Sequence, residues 1–142
     1  MNTYNLEPQQ MPVIAIDFDG VIVEDKWPEI GEEIPGAVST INAWYDAGYW
    51  IIINSCRKGV PARFMREWLN DNGVKTHAIN ENLVWRVCMY GTDPRKIGAD
   101  IYIDDHNIER SGIQYTQYVW ERHAMNMDAY TKCRAAMINA NM

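Results

Sequence analysis

"IAIDFDGVI", residues 14–22, decides how this chain is read. An apolar run ends on two aspartates, Asp17 and Asp19, which straddle Phe18 and lean on Gly20. One aspartate would suffice for an ordinary strand end. Two carboxylates this close repel each other unless something positive sits between them. The stretch therefore points to a metal, to phosphate chemistry, or to both.

Outward from it, strand-like and helix-like signals alternate, which predicts an α/β domain with a mainly parallel sheet. "VIAID" (13–17) reads as a buried strand, too apolar to alternate. Residues 34–48 read as a helix, with Pro35 in the first turn, Ile34, Val38, Ile41 and Tyr45 on one face, and Gly48 as the stop. "YWIIINS" (49–55) is a second strand. Residues 60–73 form a second helix with Val60, Phe64 and Trp68 along its face. "VKTHAIN" (74–80) is a weaker third strand, and "ADIYIDD" (99–105) a fourth. The apolar segment 83–90 reads as a packed crossover helix. A helical repeat runs through Trp120, Ala124, Met127, Tyr130, Cys133 and Met137. One domain is expected over 1–142, with a core at about 13–106 and a helical tail at about 115–140.

The bulk composition narrows the function classes. A 142-residue chain that is 47% hydrophobic has material for one ordinary core. Its net charge of −6 disfavours a sequence-independent grip on nucleic acid. Three cysteines without CxxC spacing, Cys56, Cys88 and Cys133, read as reduced thiols. The first dozen residues lack the pattern of a secretory leader, and no stretch approaches the roughly 18 apolar residues of a membrane span. A cytoplasmic protein with no membrane partner is the expectation.

In a parallel sheet the carboxyl ends of the strands share one edge, where ligands bind. Asp17, Asp19, Ser55, Asp104 and Asp105 should therefore converge. Carboxylates crowded into one cleft raise each other's pKa values unless compensated, and a hard, oxygen-rich site of this kind prefers Mg²⁺.

The order "DFDGV", Ser55 after an apolar strand, Lys96 upstream of the last strand, and "DD" at 104–105 resembles the haloacid dehalogenase-like (HAD) superfamily of phosphohydrolases. The resemblance spans about 13–106 and implies a Rossmann-like three-layer sandwich with a minimal cap or none, because 21–33 is only flap-length. It implies Asp17 as the nucleophile that forms an aspartyl-phosphate, and Asp19 as general acid and then base. Phe18 would face the core, while Gly20 would turn the chain and aim backbone N–H groups at the phosphate. Ser55 would hydrogen-bond a phosphoryl oxygen and Lys96 would neutralise the growing charge, with Lys58 as its substitute. Mg²⁺ would be held by Asp17, the Asp19 carbonyl, Asp105 directly, and Asp104 directly or through water. Arg57 is a candidate phosphate or leaving-group ligand.

The expected activity is Mg²⁺-dependent hydrolysis of a small phosphomonoester. Its rivals are a nucleic-acid-end phosphatase or phosphotransferase, favoured if Arg57, Lys58, Arg63 and Arg66 form a basic groove, and a non-catalytic phosphate- and Mg²⁺-binding module. Residues 81–95, the tail or a second subunit are the segments that could cover the site. Monomer and homo-oligomer are both open.

Overall fold

The apolar run Val13–Ile16 (β1) is at most 2% exposed, a strand buried on both faces. It lies at the centre of a four-stranded parallel sheet in this computed structural model, which describes residues 5–106 and 114–141. The chain proceeds through Val23–Lys26 (β2) and Glu29–Glu33 (β3), then Ala37–Asp46 (α1), Trp50–Ile53 (β4) and Gly59–Asp71 (α2). Ala78–Ile79 (β5), Val84–Tyr90 (α3), Ile101–Ile103 (β6) and Gln117–Ala140 (α4) complete it. The sheet order is β5-β4-β1-β6, with Ile14 opposite Ile51 on one side and Ile101 on the other. The order reverses at β1, which makes its carboxyl end the natural place for a ligand.

Alternation along β1 divides the core. Ile14 and Ile16 face α1, α2 and α4, where Ile41, Met65, Trp120 and Met127 pack. Val13 faces the other way, with Ile52, Ala78 and Leu83, toward α3 and Trp85. The result is the expected Rossmann-like three-layer α/β arrangement.

Several elements differ from the sequence expectation. Residues 21–33 hold an antiparallel hairpin, β2 with β3, rather than a plain flap. Helix α1 begins after Gly36, whose φ of +90° needs a glycine, so Pro35 lies outside it. The third strand shortens to Ala78–Ile79, flanked by His77 N and Asn80 N, which donate to Ile51 O and Ile53 O of β4. In α2, Val60 and Phe64 are exposed and Met65 and Leu69 are buried. Both pairs are spaced i, i+4, so periodicity alone could not choose the face. In α4 the buried positions are Trp120, Met127, Thr131 and Ala135, with Met137 exposed. Thr131 is tolerated inside because its Oγ1 donates to Met127 O and meets Tyr49 Oη at 2.7 Å. Among the described residues no helix is long and apolar enough to cross a membrane.

Candidate active site

The carboxyl edge is assembled by backbone hydrogen bonds across three strands. Asp17 N donates to Ile103 O at 2.9 Å, and Asn54 N donates to Ile16 O at 2.8 Å. These register the ends of β1, β4 and β6 side by side. Phe18 is fully buried, packed edge-on against Trp68 with ring centroids 5.5 Å apart. Burying that one side chain leaves Asp17 and Asp19 directed away from the core.

The structure brings together Asp17, Asp104 and Asp105, each offering a carboxylate oxygen within 4.8 Å of the others. Asp104 Oδ1 accepts from His106 N at 2.8 Å, which closes the turn after β6. Asp105 Oδ1 is buried without a hydrogen-bond partner; His106 Nε2 is 3.2 Å away, at ion-pair distance but not in hydrogen-bond geometry. Among the described residues no lysine or arginine pairs with any of the three. Burial pushes Asp17 up to about 7, offset in part by the Phe18 N–H, which donates to its Oδ1 at 2.8 Å; Asp104, Asp105 and Asp19 add repulsion. Asp105 is raised as well, chiefly by burial. All-oxygen donors, one buried oxygen without a partner and uncompensated charge together fit a hard divalent cation.

A stability prediction follows with a definite sign. Native Asp17 holds its proton to about pH 7 and the unfolded chain releases it near 3.8. Between those values the native state binds more protons, so stability without metal falls as pH rises through this window and levels off above it. In EDTA the melting temperature should drop by about 5 °C from pH 5 to pH 8, allowing for screening of a partly exposed group. A melting temperature that rises over that interval would mean Asp17 is ionised throughout.

Asp19 stands apart from the trio. Arg57 Nε and Nη2 each reach one of its oxygens at 2.7 Å, a bidentate clamp. Arg57 Nη1 donates to Pro28 O and Pro61 O, and Nη2 also donates to Glu29 O. All five N–H donors are thus used inside the protein, and the residue is only 3% exposed. Arg57, expected as a phosphate ligand, has no donor left for one; it ties Asp19 to the β2–β3 turn and to α2.

Gly20 turns the chain, and its own N–H is taken up by Val23 O at 2.8 Å. Its φ is +81°, and a Cβ there would collide with Asp105 Oδ2. Gly20→Ala should therefore lower stability by about 1–3 kcal/mol and weaken Mg²⁺ binding by displacing Asp105. Paired denaturant melts and Mg²⁺ titrations check this; a variant equal to wild type in both would show that the contact is dispensable.

Ser55 is well placed by its surroundings. Its N–H donates to Asn80 Oδ1 at 2.7 Å, and its Oγ accepts from Arg57 N at 3.1 Å, leaving the hydroxyl proton for a ligand. Lys96 is not brought into this group. Its Nζ lies 5.3 Å from the Tyr102 ring centroid, and among the described residues it pairs with none of the four aspartates. Lys58 stands at the N-cap position of α2, on the same loop as Ser55, and is the lysine nearer in chain to this edge. A cavity of about 570 Å³ opens beside Gly20 and Asp105, bordered by Lys26 of the hairpin and by Tyr115 and Gln117. Trp120 Nε1, donating to Val21 O at 2.9 Å, holds α4 to this side of the sheet. The hairpin and the start of the tail, not α3, border the site.

A solved structure similar to this chain is that of a conserved protein from Bacteroides thetaiotaomicron. The two are 34% identical with a TM-score of 0.67, over 82% of this chain and 92% of that one. No protein-family model matches the sequence, and no curated protein matches it.

Proposed function

This chain belongs to the family of that conserved Bacteroides thetaiotaomicron protein, and we propose that it works as a Mg²⁺-dependent phosphomonoester hydrolase of the HAD type. The observation that carries this reading is the meeting of Asp17, Asp104 and Asp105 within 4.8 Å, beside an Asp19 held separately by Arg57. One carboxylate is thereby left to attack and another to manage a proton, which is the division of labour that phosphate ester hydrolysis requires.

Asp17 attacks phosphorus, and a bond from its carboxylate oxygen to phosphorus (an acyl phosphate) forms as the bond to the leaving oxygen breaks. Asp19 takes up a proton from solvent and gives it to that oxygen. For this, one Asp19 oxygen has to leave the Arg57 fork, because both are engaged at 2.7 Å in the resting arrangement. Water then attacks phosphorus, Asp19 takes up its proton, and Asp17 departs as a carboxylate with inorganic phosphate released. The Ser55 hydroxyl donates to a phosphoryl oxygen in both steps, and Lys58 supplies positive charge from the same loop. Mg²⁺, held by Asp17, Asp104 and Asp105, would supply the charge that keeps Asp17 ionised and draws density from the phosphoryl oxygens.

A small-molecule ester suits the site better than a nucleic-acid end. The basic groove that would favour the latter is weakened by the burial of Arg57 and by Arg63, which lies 3.9 Å from Glu67 and over the Phe64 ring. The test is phosphate release from 4-nitrophenyl phosphate and a panel of sugar phosphates and nucleotides. Turnover is expected with Mg²⁺ and a loss on the order of 10³-fold or more in EDTA, restored by added Mg²⁺. Turnover indifferent to EDTA, or none on any ester by a folded, Mg²⁺-loaded protein, would remove the proposal.

A further inference from the structure

The face of the sheet covered by α3 carries a second cavity, of about 430 Å³, and none of the four site aspartates lines it. Its walls include Asn82, Arg86, Tyr90, Lys96 and Tyr102. The volume falls within the roughly 300–1,000 Å³ of small-ligand pockets.

Specific contacts build these walls. Asn82 Nδ2 donates to Asp93 Oδ1, Pro94 O and Lys96 O at 3.0–3.2 Å, and its Oδ1 accepts from Gly98 N at 2.6 Å. Tyr102 Oη donates to Ile97 O and accepts from Ala99 N. The loop before β6 is thus pinned at both ends, with the Lys96 ammonium held over the Tyr102 ring.

Arg86 is the group that needs explaining. Its side chain is only 16% exposed, yet among the described residues its guanidinium donates no hydrogen bond, and Nε is buried without a partner. It lies over Trp85 at 5.7 Å, and Nη2 is 3.6 Å from Asp100 Oδ2. That carboxylate is already engaged, accepting from Val13 N at 2.8 Å and pairing with Arg134 at 3.1 Å. Two guanidiniums share one carboxylate, so one positive charge is left over, and Lys96 adds another, in a chain of net charge −6. A largely buried guanidinium without hydrogen bonds is costly unless an anion completes it.

We infer that this cavity binds an organic anion carried on a planar ring, its phosphate or carboxylate held by Arg86 and Lys96 and its ring laid against Tyr90 and Tyr102. The guanidinium fork suits such an anion, and the two tyrosines offer stacking faces. The site is independent of the hydrolase reading.

Adenosine 5′-monophosphate is the probe, titrated calorimetrically in EDTA, where the metal-free carboxylates of the other site repel a phosphate. Saturable binding is expected, with adenosine, ribose 5-phosphate and the Arg86→Gln variant each showing affinity at least about fivefold weaker. Absence of nucleotide binding, or a smaller difference for any of the three, overturns the proposal. Should Arg86→Gln fail to fold, Lys96→Gln, altered at an exposed side chain, is judged by the same threshold.

Discussion

Asp17→Asn should abolish phosphate release, by a factor on the order of 10⁴ or more, and in the same protein raise stability without metal. The two effects have one origin. The amide keeps the shape of the carboxylate, and its Oδ1 can still accept the Phe18 N–H that now reaches Asp17 at 2.8 Å. What disappears is a charge that burial and three neighbouring carboxylates resist. In EDTA at pH 8 the variant should melt about 5 °C above wild type, and the gap should close toward pH 5, where wild-type Asp17 is itself protonated. Added Mg²⁺ should stabilise wild type more than the variant, since the variant has lost one ligand. Phosphate assays and melts at three pH values, with and without Mg²⁺, measure all of this. Activity that survives in Asp17→Asn would falsify the nucleophile assignment. A variant less stable than wild type in EDTA would contradict the account of the buried charge.

What the sequence discloses about this site depends on how local the chemistry is. "DFDG" is legible because Asp17, Phe18, Asp19 and Gly20 are neighbours on the chain, and "DD" because it ends an apolar strand. Parallel-sheet geometry then places the two at one edge. The succession of core strands and helices along the chain is likewise readable from the alternation of apolar runs and helical periods, whereas the hairpin within 21–33 is not. Arg57 is different. Its partners are a side chain at 19 and carbonyls at 28, 29 and 61, and carbonyl oxygens exist at every residue. No residue type marks them, so a buried structural arginine and a phosphate-binding one look the same in sequence. Lys96 is hard to place from sequence for a related reason. Its distance from "DD" along the chain suits a catalytic lysine, but Asn82, fourteen residues earlier, sets the path of its loop. Gly20 could be read as a turn glycine; that it makes room for Asp105 is a contact between distant segments.

Arg57→Met should be the most destabilising single change at this edge, by about 3–5 kcal/mol, because it leaves the Asp19 charge largely buried without its partner. Asp19 has a side chain only 17% exposed, and both of its oxygens rest on this one guanidinium. The loss also releases Pro28 O, Glu29 O and Pro61 O, so the hairpin that borders the cavity beside Gly20 and Asp105 is no longer tied to α2. Arg57→Lys should recover little, because an ammonium cannot fork to both oxygens while also reaching three carbonyls. Activity should fall on the order of 10²-fold even where the variant is folded, as Asp19 loses its defined position. A second substitution separates the charge from the packing. Adding Asp19→Leu to Arg57→Met removes the stranded carboxylate, so stability should return by about 2 kcal/mol or more while activity falls further. Denaturant melts of the two single variants and the double variant give the coupling directly. If Arg57→Met melts like wild type, or if the double variant is merely the sum of the singles, then the clamp contributes nothing and Asp19 is held by something other than Arg57.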